Sequence, residues 1–504
     1  RKKSGEAFSM PIMDEPTSLD PQIADSNSEK LVAANCYEGL VRIMADGTIG
    51  KGVATDWNIS DDGLTYTFKL RNNSHWAMFS GHKAVLGENY EDTFDITVKA
   101  EDFKFGIERT LSEQTGSADA PLFSAVKSIS TPDDFTIVFN LSYADDNFLY
   151  ALTNPGAMPC DEEFFNLTNG KYGLDAKYLL CNGPFHVSKW TEKTSVKLVK
   201  NNEYNGESSV SPSSVTFYIN NNDSEVADKM NSVTYDVAFL SSSQFSSIEN
   251  KKDLNSVAVQ NVTYSFIFNQ NDNNYRNKNM RLAFCRSCDT SSLFDSQSDI
   301  SKADGIVPPS CKIGGEDYRN GNAAELLSYD ETLAKKNFND ALLELGSSSV
   351  ETTILCTEQY ESFVKQMVQK LQKTLGVKFV STVKVVSESD LEAAVNDGNY
   401  SVAFYPFKAK SSFAGEIIEG FDQNNIFGYE SDVLSQKIRN IKNNSGSLEG
   451  ERSAVADAEN YLVSEAVIMP VFYENSYFVT SKKTSGIYFY SSADNVCFIN
   501  AKKS

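Results

Sequence analysis

The hydrophobic pattern of the chain changes near residue 270, and this change limits the folds that the sequence can adopt. Before it, apolar and polar residues alternate at 64–70 and 135–141, each run following an aspartate-rich turn segment. These runs predict half-buried antiparallel strands. After it, helical and strand patterns alternate, which is the βαβ rhythm of a mixed or parallel sheet. A length of 504 residues exceeds one ordinary domain, so we expect two or three lobes.

Periodicity predicts further elements on both sides of this change. A helix is predicted at 99–111, where apolar residues recur four apart on one face. A second helix is predicted at 363–375, with Gly376 as its C-cap. The other predicted elements are strands at 196–200, 215–220, 236–240, 264–269, 401–407 and 467–473, a strand at either 377–380 or 383–386, helices at 389–396 and 458–466, and a serine-rich loop or helix cap at 241–247.

The charge balance excludes one class of partner. The formal net charge is −22, and such a surface repels phosphate backbones, so we expect no binding to nucleic acid. No apolar run approaches the roughly 20 residues needed to span a bilayer. Residues 1–5 carry no hydrophobic signal core, and we therefore expect that any signal or lipid anchor has been removed from this chain.

Eight cysteines allow disulfides or a metal site. Cys285 and Cys288 form a CxxC pair, but a tetrahedral zinc site needs two more ligands at short spacing. The chain has only three histidines, and they are not clustered, so we predict no metal. We expect one disulfide from Cys285 or Cys288 to Cys311 and another between Cys160 and Cys181. Both would indicate an oxidising, extracytoplasmic setting.

The sequence lacks the motifs that carry catalysis in common enzyme families. It contains no nucleophile elbow, P-loop, HExxH motif or dinucleotide-binding glycine pattern. We therefore predict that the protein is not an enzyme and uses no cofactor, although a carboxylate-based secreted hydrolase stays open. Aromatic residues make up 12% of the chain, and some of them can form the walls of a binding cleft.

An ordered set of motifs spans nearly the whole chain and resembles one protein family. The motifs are PTSLDP at 16–21, YEGLV at 37–41, ATDW at 54–57, SDDGLTYTFKLR at 60–71, VKAEDF at 98–103, ERTL at 108–111, NGPF at 182–185, MRLAF at 280–284, GIVPP at 305–309 and MPVF at 469–472. They resemble the successive landmarks of the family 5 extracellular solute-binding proteins, which include the oligopeptide- and dipeptide-binding proteins of ABC importers.

The resemblance implies an α/β architecture. It is the two-lobe fold of type II periplasmic binding proteins, of the large class C type, with an extra subdomain on the first lobe. Lobe one would comprise residues 1–48, 180–265 and 478–504, the subdomain 49–179, and lobe two 266–477. The ligand would bind between the lobes, which would close around it and be recognised by a membrane permease.

The resemblance also implies where a ligand binds. Peptide-binding relatives add the ligand backbone as a strand, here between edges near 14–18 and 408–410. The candidate ligand-binding residues lie on or near these edges: Glu15, Thr17, Asn269, Tyr405, Phe407, Lys408, Ala409 and Lys410. Peptide binders of the family often have an aspartate in the second segment for the ligand's α-amino group, and this chain has Lys410 or Lys408 there. Either another acid (Glu15 or Glu416) holds the amino group, or the ligand presents an anion to Lys410, or both lysines are solvated.

The leading interpretation is an extracytoplasmic protein that captures peptides and delivers them to an ABC permease. We expect a monomer outside the cell, lipid-anchored to the cytoplasmic membrane or periplasmic. The alternatives are the same fold binding an oligosaccharide or another polar solute, a peptide-sensing receptor without transport, and a secreted hydrolase.

Overall fold

The computed structural model describes residues 6–295, 297–409, 411–491 and 495–504. Its strands are β1 Ala7–Ile12, β2 Val41–Ile43, β3 Ile49–Lys51, β4 Ala54–Ile59, β5 Thr65–Leu70, β6 Val126–Asp133, β7 Thr136–Leu141, β8 Phe185–Thr191, β9 Ser195–Lys200, β10 Ser214–Ile219, β11 Val237–Ser241, β12 Leu254–Phe268, β13 Ile300–Lys302, β14 Lys312–Ile313, β15 Glu316–Asp317, β16 Val350–Thr357, β17 Phe379–Val386, β18 Val402–Lys408, β19 Ile468–Ser481, β20 Thr484–Ser485 and β21 Lys502–Lys503. Its α-helices are α1 Asn27–Cys36, α2 Lys83–Leu86, α3 Tyr90–Thr93, α4 Ala100–Leu111, α5 Phe148–Ala151, α6 Glu162–Leu167, α7 Asp223–Asn231, α8 Ser242–Ser247, α9 Asn273–Arg276, α10 Lys278–Arg286, α11 Glu331–Leu345, α12 Glu361–Leu375, α13 Glu388–Asn396, α14 Ala414–Glu419, α15 Asp432–Asn443 and α16 Leu448–Ser464. In these ranges, no helix is both long and apolar enough to cross a membrane.

The chain divides into two compact units. Unit 1 comprises Arg1–Val259 and Ser476–Ser504, and unit 2 comprises Gln260–Asn475. Strands β12 and β19 carry the chain across the division. The sequence analysis predicted that the chain passes from lobe one to lobe two after residue 265 and returns after residue 477. The separate subdomain that it predicted at 49–179 stays a prediction.

Unit 1 contains two four-stranded sheets. One has the order β1-β10-β9-β8, with β1 parallel to β10, and the other is the antiparallel sheet β4-β5-β7-β6. Alternation along β5 and β7 buries Phe68, Ile137 and Phe139 on one face. Helix α4 contributes Phe103 and Ile107 to the buried residues of unit 1, as the apolar stripe of the predicted helix at 99–111 requires.

Unit 2 is built on a mixed sheet that is covered on both faces. Strand β16 lies between β17 and β18 and is parallel to both, while β12 pairs antiparallel with β18. On β12 and β18, Phe266 and Phe404 enter one core cluster, together with the apolar stripe of α12. Their neighbours Ile267 and Ala403 enter a second cluster, together with α15 and α16. Burial on both faces explains why these strands read as continuous apolar runs.

Two predicted elements differ in detail from the structure. The two alternative strands near 380 are one strand, β17, because its eight residues pair in register with β16. The serine-rich segment is the short helix α8, which Ser241 caps by accepting a hydrogen bond from the Gln244 amide at 3.2 Å. Serine at an N-cap satisfies an amide that the first helical turn leaves free.

Candidate functional site

A groove of about 620 Å³ opens in unit 2 where strand β18 ends. Its volume lies within the roughly 300–1,000 Å³ that is usual for ligand pockets. Residues of β12, β16, β18, α13, α14 and the segment after α14 line it: Tyr264, Thr357, Glu388, Leu391, Glu392, Tyr405, Pro406, Phe407, Lys408, Glu416, Ile417, Gly420, Phe421, Ile426 and Phe427. We call this cavity the unit-2 groove.

One wall of the unit-2 groove is aromatic. The two-residue period of β18 puts Tyr405 and Phe407 on the same side as the buried Ala403. The ring of Phe407 stacks on Phe421 and Phe427, with centroids 5.9 and 5.7 Å apart. Phe421 and Phe427 are buried, whereas Tyr405 and Phe407 are only half-buried. The buried rings therefore support two rings that a ligand can still cover.

Helix α13 contributes acidic side chains to the unit-2 groove. Ser387 caps this helix by accepting a hydrogen bond from the Asp390 amide at 3.1 Å, and Leu391 anchors it in the core. Glu388 and Glu392 lie one helical turn apart on the same face, and both line the groove. Within the described ranges, neither carboxylate forms a hydrogen bond or an ion pair. Two negative charges therefore stand beside the aromatic wall.

The charges of Glu388 and Glu392 contribute to the pKa shifts of neighbouring groups. Burial and then the charge of Glu392 raise the pKa of the Tyr405 hydroxyl. The pKa of Tyr264 is also raised, by burial and then by the charges of Glu474 and Glu388. For Glu474, burial raises the pKa and Glu388 adds to this effect, whereas Lys408 opposes it. Lys408 thus balances part of the acidic charge.

Among the acids that the sequence analysis named, Glu416 lines the unit-2 groove, and one of its two carboxylate oxygens is already occupied. It accepts hydrogen bonds from the Ser411 amide at 2.7 Å and from the Ser411 hydroxyl. Sequence reasoning missed Glu388 and Glu392. A signal was available in the sequence, because the two glutamates are one helical turn apart and flank the core residue Leu391. The predicted helix began at residue 389, one residue after the observed start, and so left out Glu388.

The structure brings together three of the predicted ligand-binding residues of unit 2. Tyr405, Phe407 and Lys408 line the groove. Ala409 follows β18 directly and packs against the core cluster that contains Ala403. Lys410 lies outside the described residues.

Asn269 is hydrogen-bonded within the fold and does not line the unit-2 groove, and its predicted contact with a ligand stays a prediction. It is buried and does not line the groove. Its amide nitrogen donates to the carbonyl oxygens of Gly398 at 2.9 Å and Tyr400 at 2.7 Å. Both amide hydrogens are therefore used to fix the chain that leads into β18, and its oxygen accepts from the Asn271 amide.

The predicted segment of unit 1 uses its side chains to hold itself in place. Glu15 accepts hydrogen bonds from the Trp190 ring nitrogen at 3.2 Å and the Lys193 amide at 2.8 Å. The amide and hydroxyl of Thr17 donate to one oxygen of Glu29, at 2.8 and 2.7 Å. Contacts from Glu15 and Thr17 to a ligand stay predictions.

The predicted disulfide between Cys160 and Cys181 is wrong, because each thiol has a different neighbour. All eight cysteines are free thiols. The sulfur of Cys160 lies 3.7 Å from an Arg109 nitrogen, whereas the side chain of Cys181 contacts that of Cys36. Spacing along the chain therefore did not identify neighbours in space.

The predicted disulfide to Cys311 is wrong for a similar reason. Cys285 and Cys288 lie in one core cluster of unit 2, and Cys311 lies in the other. Burial raises the pKa of Cys285 and of Cys288 to about 12, so both stay protonated at neutral pH. The cysteines therefore do not support the oxidising setting that the sequence analysis inferred from them.

Comparison with known proteins identifies the family and the fold of the chain. A model of the family described as bacterial extracellular solute-binding proteins, family 5 middle, matches residues 48–427. The chain belongs to this family. Family 5 proteins are solute-binding proteins that act outside the cytoplasm, and the resemblance of the motifs is confirmed.

Two of the relatives align over nearly the whole of this family 5 protein. The dipeptide-binding protein DppE of Bacillus subtilis is 24% identical over 496 residues, covering 94% of this chain and 88% of the relative. The probable D,D-dipeptide-binding periplasmic protein DdpA of Escherichia coli is 22% identical and covers 96% and 92%. The similarity therefore extends well beyond the segment that the family model matches.

Solved structures share the fold of this family 5 protein. OppA of Listeria monocytogenes, solved bound to peptide, has a TM-score of 0.75 at 20% identity, covering 99% of this chain and 100% of the other. A dipeptide-binding protein from Pseudoalteromonas sp. SM9913, in complex with Met-Leu, has a TM-score of 0.76 at 18% identity, with coverages of 99% and 100%. The predicted α/β fold of the periplasmic-binding-protein type is confirmed.

Proposed function

We propose that this protein captures peptides outside the cytoplasm and delivers them to the membrane permease of an ABC importer. The observation that carries the proposal is the unit-2 groove, which opens at the end of β18 beside half-buried aromatic rings. Membership of family 5 and the peptide-binding names of its relatives support it.

The groove suits a peptide for a physical reason. A ligand strand laid along the segment after β18 would satisfy its own amide and carbonyl groups through main-chain hydrogen bonds, which give affinity without reading the sequence. Adjacent side-chain pockets then set selectivity. Within unit 2 we assign the ligand contacts to Tyr405, Phe407, Lys408, Ala409 and Lys410. In unit 1 we keep Glu15 and Thr17 as predicted contacts.

The remaining parts of the proposal concern what the protein does with its ligand. It binds the peptide without chemical conversion, acts as a monomer, and needs neither metal nor cofactor. It works outside the cytoplasmic membrane, either held there by a lipid anchor or free in a periplasm. Capture and release require no chemical step, and the monomeric state and the location are further parts of the proposal.

The mass spectrum of whatever co-purifies with the protein tests this function. The protein is purified without denaturation from bacteria grown in a peptide-rich medium, and the bound fraction is released by acid and analysed. We expect a ladder of mixed peptides. A single glycan or another non-peptide solute would overturn the proposal. A sample unfolded in denaturant and refolded without ligand serves as the control for carry-over.

A further inference from the structure

The unit-2 groove has an aromatic wall and an acidic wall, and together they indicate which kind of ligand side chain the groove can hold. The aromatic wall presents the half-buried rings of Tyr405 and Phe407, with centroids 5.5 Å apart. Behind them, Phe421 and Phe427 are stacked almost parallel, 4.6 Å apart with an interplanar angle of 6°. Such a rigid wall favours a long apolar stem, and its ring faces attract cations.

The acidic wall of the groove consists of Glu388 and Glu392 on α13. Glu388 and Glu392 are exposed, and in the described part of the chain no basic side chain lies within ion-pair distance of either. Among the described residues that line the groove, Lys408 is the only lysine, so Glu388 and Glu392 outnumber it within this set. Glu416 also lines the groove. Ser411 donates to one of its oxygens but brings no charge, so this carboxylate adds to the acidic side of the balance.

We propose that the unit-2 groove receives a lysine or arginine side chain of the bound peptide. The methylene stem would lie on Tyr405 and Phe407, and the charged head would reach Glu388 and Glu392. Long basic side chains commonly bury their stem on apolar surface while the head meets a polar group, and a charge-assisted hydrogen bond to a carboxylate is among the stronger ones. This inference rests on the proposed function, because it needs a peptide in the groove.

Charge complementarity favours this occupant over an apolar side chain. An apolar side chain would cover the rings but would also remove water from two unpaired carboxylates, which costs free energy. An acidic side chain would meet like charges. The net charge of −22 on the whole chain adds a longer-range attraction for basic peptides at low ionic strength.

Calorimetry with matched peptides tests the proposal. The probes are three alanine pentapeptides with a central lysine, norleucine or glutamate, called the lysine, norleucine and glutamate peptides. They share length and termini, so the central side chain is the only variable. We expect ligand-free wild-type protein to bind the lysine peptide about tenfold more tightly than the norleucine peptide and the glutamate peptide most weakly. The preference for lysine should shrink as salt is added.

The variants locate the source of the preference. Glu388→Gln combined with Glu392→Gln should bind the lysine and norleucine peptides equally, with affinity for the norleucine peptide unchanged or raised. Lys408→Gln should increase the lysine preference by about threefold. Glu351→Gln, an exposed acid on β16 that does not line the groove, is the matched control and should keep the wild-type preference.

Two results would overturn the inference. One is wild-type protein that binds the lysine and norleucine peptides equally, and the other is a lysine preference that survives in the double variant. If the proposed function itself is wrong, the result differs from both of these, because none of the three pentapeptides would then bind at any concentration tested.

Discussion

The segments 14–18 and 408–410 were both predicted to contact a ligand, but the polar side chains around the first segment and those of the unit-2 groove beside Lys408 are used differently. In unit 1, Glu15 and Thr17 are tied to neighbouring groups, and Thr17 shares the carboxylate of Glu29. In the groove, Glu388 and Glu392 have no such ties within the described ranges. The difference shows that an acid near a predicted binding edge can serve either the fold or the ligand, and that its hydrogen bonds distinguish the two roles.

The largest expected loss of stability follows from substituting Glu29, in unit 1. Glu29 is only 5% exposed and accepts four hydrogen bonds, two from Thr17 and one each from the amides of Asp25 and Ser26. We expect Glu29→Ala to lower the free energy of unfolding by about 3 kcal/mol, because donors that a charged acceptor satisfied are left without it. Urea unfolding followed by circular dichroism measures this. A loss no larger than that of an exposed glutamate would contradict the role assigned to Glu29.

The same carboxylate should make stability depend on pH. Burial disfavours its ionised form, but the hydrogen bonds from Asp25, Thr17 and Ser26 outweigh burial and lower its pKa. A lowered carboxyl pKa stabilises the fold above the unfolded-state value and loses that contribution as pH falls through the folded-state value. The stability difference between wild type and Glu29→Gln should therefore shrink between about pH 5 and pH 3. A difference that stays constant over this range would contradict the assignment.

The smallest expected effect on stability is at the groove. Glu388→Gln and Glu392→Gln should each change the free energy of unfolding by less than about 0.5 kcal/mol, because both side chains are exposed and unpartnered in the described structure. The same urea experiment measures this, with Glu351→Gln as the reference. A loss comparable to that of Glu29→Ala would show that these acids serve the fold and would remove the contrast between the two regions.

Much of the fold could be predicted from the sequence because it depends on local periodicity. Helix α12 and strand β18 occur within a residue or two of their predicted bounds. The apolar stripe of α12 fits only the helical period, and β18 is a continuous apolar run of the length of a strand. The family was also identifiable, because its landmarks are spread along the chain.

The details of the site required the three-dimensional contacts. Glu388 and Glu392 look like ordinary exposed acids in the sequence, and only the packing of α13 beside β18 puts them in the groove. Asn269 lies at the end of a strand, as a ligand contact would, but its amide is turned to the backbone at Gly398 and Tyr400. The predicted disulfides were wrong because the spacing of cysteines along the chain does not show which sulfur atoms lie close together in the fold.

Hydrogen–deuterium exchange with and without peptide tests most directly whether the unit-2 groove is the binding site. The ligand-free protein is compared with protein saturated with the lysine peptide, and exchange is followed by mass spectrometry. The account predicts slower amide exchange at residues 402–409 and 414–421 and at the start of α13, where the groove is lined. Unchanged exchange in these three segments at saturating peptide would contradict it.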